Sequence, residues 1–229
     1  MASGSDPKTT SPPAAGAQSL CSQFIDALHV DGASISLFGP TGNQSTICTT
    51  DQIATGAETF QFELGEGPHW QALRSGDPVL CPDLRSETLA SWPMFTSAAL
   101  RLGISAVFAF PMKLGAATVG VVDLLSLEPR HLDAHQVALA TTMANRIAPV
   151  AVTLATRSAE DVVAHEAATV PALRREVHQA TGMLQAQLDI SATDAFARLR
   201  AYAFTSGRPV NDVARDVVGR TLDFSTLSD

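Results

Sequence analysis

Cysteine is scarce in this sequence of 229 residues, which contains only Cys21, Cys48 and Cys81. The number is odd, and no two of them are spaced as a CxxC pair. A disulfide scaffold and a structural zinc site are therefore both disfavoured. We expect reduced thiols in a cytoplasmic protein, with Cys21 and Cys81 packed in the core as small apolar side chains.

Long apolar runs are also missing. The longest, such as Val119–Leu125, fall far short of the ~18–20 residues that cross a bilayer, which excludes an integral membrane protein. The N-terminal segment is rich in Ser, Thr, Pro, Ala and Gly and lacks the apolar core of a secretory signal. We predict a disordered tail over residues 1–16. Because the chain is 45% apolar and 17% charged, the remainder has the composition of a globular protein.

Lysine is absent from the C-terminal part of the chain. Residues 172–229 carry seven arginines and seven acidic side chains, whereas residues 1–171 carry eight basic and sixteen acidic side chains. The acidic part is a poor partner for nucleic acid. Any nucleic-acid contact by the neutral C-terminal part has to depend on local patches of arginine.

Signatures of catalysis and of metal binding are lacking as well. The sequence has no P-loop, GxSxG, HExxH or paired-carboxylate arrangement. His131 and His135 are four residues apart, but Asp133 starts a predicted helix between them, so a metal pair there is weakly supported. We predict no enzymatic activity, no resident metal and no identified cofactor.

The first two thirds of the chain mix helix and strand patterns. Apolar spacing predicts helices over Gln18–Val30, His69–Ser75 and Trp92–Leu102, and a long helix from Asp133 to about Ala168 that Pro149 should kink. Alternation and turn residues predict strands over Ala33–Phe38, Thr46–Thr50, Phe60–Leu64, Pro78–Cys81, Ile104–Lys113 and Thr118–Leu127. This order predicts an α+β fold with an antiparallel sheet and flanking helices.

The last 60 residues show helix patterns only. The first predicted helix, about Val170–Leu188, has an apolar stripe with spacings of 4, 3, 4 and 4 residues: Leu173, Val177, Ala180, Leu184 and Leu188. The second begins at Ser191 with an S-x-x-D cap and ends at Gly207, and the third begins at Pro209. The stripe fits either the core of a three-helix unit or a dimer seam.

Two segments resemble known families. ISAVFAFPMKLGAATVGVVDLLSLEPRHLD, residues 104–133, resembles the GAF pattern of a Pro-ended strand, a turn and a G-V-x-D-L strand that leads to a final helix. The resemblance implies a GAF-like sensor domain over residues 17–154, with a central antiparallel sheet. A helical linker over residues 155–169 follows it.

The C-terminal segment resembles an ANTAR domain over residues 170–224, with a short tail over residues 225–229. The residues that carry this resemblance are VHQATGML at 177–184, DAFARLR at 194–200 and DVARDVV at 212–218. The resemblance implies a three-helix RNA-binding domain that acts in transcription antitermination, and a dimer that recognises small hairpins in nascent RNA. Where many family members have Lys–Gly, this chain has Thr181–Gly182, which removes one candidate phosphate contact.

Gly182 is the most unusual residue of the predicted RNA-binding surface. A glycine in the middle of a helix costs about 1 kcal/mol relative to alanine, so something should compensate. Gly182 shares a face with Arg175, Gln179 and Ala186, opposite the apolar stripe. This face allows either the close approach of an RNA backbone or the packing of another helix.

Arginine and aromatic side chains of the second and third helices complete the predicted surface, because arginine suits phosphate contact and bases stack on aromatic rings. The alternative is a solvated face of paired charges, such as Asp194 with Arg198. The predicted RNA-binding residues are Arg175, His178, Gln179, Thr181, Gly182, Arg198, Arg200, Tyr202 and Arg215.

The leading hypothesis is an RNA-binding antitermination regulator whose GAF domain senses a signal and transmits it through the kinked helix. The expected partners are a nascent RNA hairpin, a second copy in a homodimer and an unidentified small ligand, with no membrane. An alternative is a DNA-binding helix-turn-helix regulator. A redox enzyme similar to free methionine sulfoxide reductases is disfavoured, because the turn Gly65–Pro68 lacks the cysteine. Four aromatic residues either line a ligand pocket or fill the core: Trp70, Trp92, Phe108 and Phe110.

Overall fold

The computed structural model describes residues 14–39, 44–86, 91–164 and 172–226. The predicted tail lies outside the described residues up to residue 13, and helix α1 begins at Ala14. Of the predicted linker, residues 155–164 are helical and residues 165–169 lie outside the described residues.

A five-stranded antiparallel sheet forms the centre of the first domain, as predicted. Its strands are β1 Gly32–Phe38, β2 Gln44–Thr49, β3 Val79–Cys81, β4 Ala106–Leu114 and β5 Ala117–Ser126. Their order across the sheet is β2-β1-β5-β4-β3. The register places Ser34 opposite Asp123, which puts the two side chains on the same face.

Five helices cover the two faces of the sheet: α1 Ala14–Leu28, α2 Gln52–Leu64, α3 Pro68–Ser75, α4 Pro93–Arg101 and α5 Ala134–Ala164. Alternation along β4 separates two cores. Phe108 and Phe110 pack with α1 and α5, and Val107 and Ala109 pack with α2, α3 and α4. Both phenylalanines are fully buried and therefore fill the core. We call residues 14–164 the sheet domain.

The predicted strand Phe60–Leu64 is wrong, because these residues form the last turns of α2. The helix begins where the Asp51 side chain accepts a hydrogen bond from the backbone N–H of Ala54, at 2.8 Å. It ends at Gly65, which has a left-handed φ of +62°. The buried face of α2 contains Glu58 and Gln61 among its apolar residues, so its helical period is hidden in a hydrophobicity pattern.

Helix α5 continues through Pro149. Its stretch Ala134–Thr156 is long and apolar enough to cross a membrane by length and composition alone. Its inward face belongs to the first core, through Ala140, Ala144, Ile147, Ala148 and Ala151. Because only 28% of this stretch is buried, α5 packs its inward face in the core and leaves its other faces outside it.

Three further helices, α6 Ala172–Leu188, α7 Ala192–Thr205 and α8 Val210–Val218, form the second domain, followed by a short 3-10 helix at Phe224–Thr226. The predicted cap is present, since Ser191 Oγ accepts from the backbone N–H of Asp194 at 3.1 Å. Val177, Ala180 and Leu184 are fully buried against α7 and α8, so this part of the stripe forms the core of one chain. We call residues 172–226 the three-helix domain.

The predicted reduced state of the cysteines is wrong for two of the three. Cys21 in α1 and Cys48 in β2 form a disulfide, although 27 residues separate them, and only Cys81 is free. Helix α1 packs across β1 and β2, which brings the two thiols together within the first core. Sequence spacing does not show this contact, because it arises from the fold.

Candidate functional site

The outward face of α6 is the part of the predicted RNA surface that is open to solvent. Gln179, Gly182 and Ala186 are exposed there, and we call them the open face. A Cβ atom built on Gly182 would meet nothing within 4 Å in the described structure. The packing explanation for this glycine needs a neighbouring helix, and none of the described helices contacts it. The side chain of Arg175, predicted on the same face, lies outside the described residues.

Three other predicted residues have partners within the three-helix domain. The hydroxyl of Thr181 donates to the backbone carbonyl of Val177 at 2.7 Å, and the ring of Tyr202 contacts Phe224 edge-on, with the centroids 5.3 Å apart. Arg215 forms ion pairs with Asp212 at 3.0 Å and with Glu176 at 3.4 Å. Arg215 is thus engaged in the way that the paired-charge alternative describes. Arg198 lies on the solvent-facing side of α7.

His178 and Arg200 lie against the sheet domain instead. His178 Nε2 is 2.9 Å from the backbone carbonyl oxygen of Gln44. The Arg200 guanidinium lies over the ring of Phe196, 5.1 Å from its centroid, and against Gly65. A Cβ atom on Gly65 would come within 1.2 Å of Arg200 Nη1, so glycine is needed there for this contact as well as for its φ.

Phe62 at the end of α2 is the apolar centre of this contact. Its ring is 3% exposed and lies 5.1 Å from that of Phe196, and it is part of the core of the three-helix domain. Next to it, Asn211 Nδ2 donates to Glu63 Oε1 at 2.7 Å. Trp70 is half-buried beside the same core. We call this interface the domain contact. The sheet domain contributes Gln44, Phe62, Glu63 and Gly65, and the three-helix domain contributes His178, Phe196, Arg200 and Asn211.

A group of buried polar side chains lies between the sheet and helices α2 and α3. All are at most 2% exposed, and we call them the polar cluster: Ser36, Gln44, Glu58, Gln61, His69 and Asp123. Glu58 Oε1 accepts from Gln44 Nε2 at 2.7 Å and from the hydroxyls of Ser36 and Thr46 at 3.0 Å each. These three donors compensate the burial of the carboxylate.

The second half of the polar cluster joins α3 to the sheet. His69 Nδ1 is 2.6 Å from Asp123 Oδ2, and the backbone N–H of His69 donates to Gln61 Oε1 at 2.9 Å. The remaining polar atoms of this cluster are only partly satisfied. Four buried side-chain atoms of the cluster have no hydrogen-bond partner within the described residues: Gln44 Oε1, Gln61 Nε2, His69 Nε2 and Asp123 Oδ1.

Unpartnered buried polar atoms are costly, at about 1–3 kcal/mol each. A donor amide, an imidazole nitrogen and two carbonyl-type oxygens in one layer suit a small polar molecule that both donates and accepts hydrogen bonds. Among the described residues, no group of three metal-ligating side chains occurs. The cluster therefore has the chemistry of a site for a small polar ligand.

Sequence reasoning missed both the polar cluster and the domain contact. One signal for the cluster was present, since Ser34, Ser36 and Asp123 interrupt otherwise apolar strands at the positions that face α2 and α3. No comparable signal exists for the domain contact, because the sequence places Phe62 in a predicted strand and Phe196 in the second predicted helix of the C-terminal segment, and only the fold brings the two rings together.

An α+β domain with a buried polar cluster, followed by a helical domain, is typical of a class of two-domain sensors and regulators. Family models place the chain within it: a GAF domain matches residues 13–150 and an ANTAR domain matches residues 167–218. The chain belongs to the GAF family and carries an ANTAR domain, and it is thus a GAF–ANTAR protein. Both are sensory and regulatory domains and not catalytic families.

Solved structures resemble the sheet domain. A domain of a Sinorhizobium meliloti 1021 protein described as a two-component sensor histidine kinase is 16% identical, with a TM-score of 0.50 over 66% of this chain and 99% of that one. A type II free methionine-R-sulfoxide reductase from Thermoplasma acidophilum is 17% identical, with a TM-score of 0.46 over 62% and 94%. A GAF domain of a phosphoenolpyruvate-protein phosphotransferase from Coxiella burnetii is 16% identical, with a TM-score of 0.48 over 66% and 89%. At these identities the likeness concerns the fold alone. No curated protein matches the chain.

Proposed function

We propose that this GAF–ANTAR protein is a transcription antitermination regulator that binds hairpins in nascent RNA. The observation that carries the proposal is the open face of α6 within the ANTAR domain, where Gly182 adjoins solvent in mid-helix. A glycine that no packing neighbour requires leaves room for an RNA backbone to approach the helix. No bond is made or broken, because binding stabilises one RNA fold over its competitor.

The polar cluster is the proposed site of the signal. It lies between the sheet and α2 and α3, and its four unpartnered atoms call for a ligand with both donors and acceptors. We propose a small polar molecule, held by Gln61, His69 and Asp123, as the input to the GAF domain.

RNA is a better partner than DNA for the three-helix domain. In a helix-turn-helix reading, α8 would be the recognition helix that enters the major groove. Its outward side chains include Asp212 and Asp216, which are paired with Arg215 and Arg208. Helix α8 itself carries these two acidic side chains and one arginine, so it offers no net positive charge to the phosphates of a duplex.

The experiment is a comparison of binding by the full chain to a panel of hairpin RNAs and to duplex DNAs of matched sequence. We expect tighter binding to a subset of the hairpins, with a salt dependence that reflects only a few phosphate contacts. Equal affinity for RNA and DNA would contradict the proposal.

A further inference from the structure

His178 and Arg200 are two of the nine residues in the proposed RNA surface, and both contact the sheet domain. His178 contacts the Gln44 carbonyl, and Arg200 lies against Gly65. The open face of α6 remains accessible in the same structure. The two parts of the proposed RNA surface therefore differ in availability, and the difference is made by the domain contact.

We propose that the domain contact is an autoinhibitory dock, which withholds His178 and Arg200 from RNA and which RNA binding must displace. The inference rests on the proposed RNA-binding function and adds its regulation. In thermodynamic terms, only the undocked population is fully competent, so docking lowers the apparent affinity for RNA.

The apolar part of the dock holds the two domains together. Phe62 is a residue of the GAF domain, yet it packs in the core of the three-helix domain and in neither of the two cores of its own domain. Separation of the domains would expose its ring to water. Burial of Phe62 against Phe196 thus favours the docked state while leaving the two GAF cores intact.

The charged side chains of the dock disfavour the docked state. Burial, followed by the proximity of Asp212, raises the pKa of Glu63, and burial, followed by the proximity of Arg74, lowers the pKa of Arg200. Arg200 Nε is buried with no hydrogen-bond partner within the described residues. These desolvation costs disappear when the domains separate, and an RNA phosphate would give Arg200 the anionic partner that the dock does not supply.

The dock adjoins the polar cluster, so a change in the cluster can reach the ANTAR domain through a few direct contacts. Gln44 contacts His178 through its backbone carbonyl, and its side chain donates to Glu58 in the cluster. Helix α2 carries Glu58 and Gln61 on the cluster side and Phe62 and Glu63 on the ANTAR side. A ligand that rearranges the cluster therefore acts directly on the surface that holds the ANTAR domain.

Two substitutions on the GAF side shift the dock in opposite directions without touching the proposed RNA surface. Phe62→Ala removes the apolar centre, so the full chain should bind hairpin RNA about tenfold more tightly. Glu63→Gln retains an acceptor for Asn211 and removes the repulsion from Asp212, so it should strengthen docking and weaken RNA binding about threefold. Phe60→Ala is the matched control, because Phe60 lies on the same helix but packs in the GAF core. It should leave RNA affinity unchanged.

Docking is measured independently of RNA by Trp70 fluorescence and by the radius of gyration from X-ray scattering. Trp70 lies beside the dock, whereas Trp92 is buried in the GAF core and provides a constant background. Phe62→Ala should expose Trp70 and expand the particle. Asn211→Ala, which leaves Glu63 unpaired, tests the same step from the ANTAR side and should also tighten RNA binding.

Tighter RNA binding together with exposure of Trp70 supports the dock. Exposure of Trp70 with unchanged RNA affinity overturns it and leaves the proposed RNA function in place. An unaltered Trp70 signal in both Phe62→Ala and Asn211→Ala also overturns it, because these residues would then not hold the domains together. Failure of the unmodified chain and of every variant to bind any hairpin overturns the proposed function itself.

Discussion

Individual residues distinguish most clearly between the two interpretations of the α6 surface, which are contact with RNA and packing or charge pairing within the protein. Glycine lowers the helix stability of α6 at position 182, and no described part of the chain packs against Gly182. Arg215, by contrast, is held by Asp212 and Glu176, so its charge is already compensated. The proposed RNA surface is therefore centred on Gly182, with Gln179 beside it.

Replacement of Gly182 by Gln should raise stability and abolish RNA binding. Gln is a better helix former, which predicts a gain of up to ~0.7 kcal/mol, while its side chain would occupy the space that RNA needs. Thermal unfolding and RNA titration of the full chain measure the two effects. Gly182→Ala is the control, since it should stabilise the helix by about 1 kcal/mol with a smaller loss of binding. A lower melting temperature for Gly182→Gln would instead show that a second helix packs there.

Opening of the Cys21–Cys48 disulfide should destabilise the GAF domain. The bond closes a loop between residues 27 apart in sequence, and loops of this length are worth about 3–4 kcal/mol in the unfolded-chain entropy model. Urea unfolding with and without dithiothreitol measures the loss. The Cys21→Ser variant should unfold at lower urea concentration and should not respond to the reductant. If the unmodified chain has the same urea midpoint with and without dithiothreitol, the expectation is wrong.

Cys81 should be unreactive in the folded protein and should make stability depend on pH at the alkaline end. Burial raises the pKa of its thiol from 9.0 to about 11. The folded state then binds the proton more tightly than the unfolded state does, so stability falls as the pH rises from about 9 to about 11. Urea unfolding across this range measures the slope, which Cys81→Ala should reduce. A thiol reagent that modifies the native protein rapidly near neutral pH would argue against the burial.

At the level of helices and strands, the hydrophobic pattern predicted most of the fold. The prediction failed where polar side chains are buried in the core. The strands β4 and β5 and the stripe of α6 were predicted because each buries a regular row of apolar side chains. Helix α2 was missed because its buried face includes Glu58 and Gln61. The polar cluster was missed for the same reason, since its members come from five separate elements that only the fold brings together.

Glu58 should be the residue on which the order of the polar cluster depends most. Glu58→Ala leaves the amide of Gln44 and the hydroxyls of Ser36 and Thr46 without their shared acceptor, which should cost about 2–4 kcal/mol of folding free energy. Urea unfolding measures the loss. Asp77→Ala, which removes an exposed carboxylate, is the control and should change stability little. A loss below about 1 kcal/mol for Glu58→Ala would show that water replaces the carboxylate easily.

For the whole molecule, the helix α5 and the domain contact offer two routes between the sensor and the RNA surface. The notion that the signal travels through a kink at Pro149 stays a prediction. The domain contact is the shorter route, because Gln44 and α2 join the polar cluster to His178 and Phe62 without an intervening element. Helix α5 is then free to serve another purpose, and its surface indicates which one.

A homodimer formed through α1 and α5 is the expected assembly. Val150 on α5 is 49% exposed, and it borders a groove of about 170 Å³ between the two helices. The groove is lined by apolar side chains together with Gln23 and Arg146, and such a mixed surface suits a second copy of the same helix pair. A dimer would place two RNA-binding faces in one particle and raise avidity. Val150→Arg should convert the dimer into a monomer in sedimentation equilibrium and weaken RNA binding. Leu80→Arg, at a similarly exposed position on the edge strand β3, should leave the dimer intact. An unmodified chain that sediments as a monomer at tens of micromolar, with and without RNA, would rule the dimer out and leave α5 without this role.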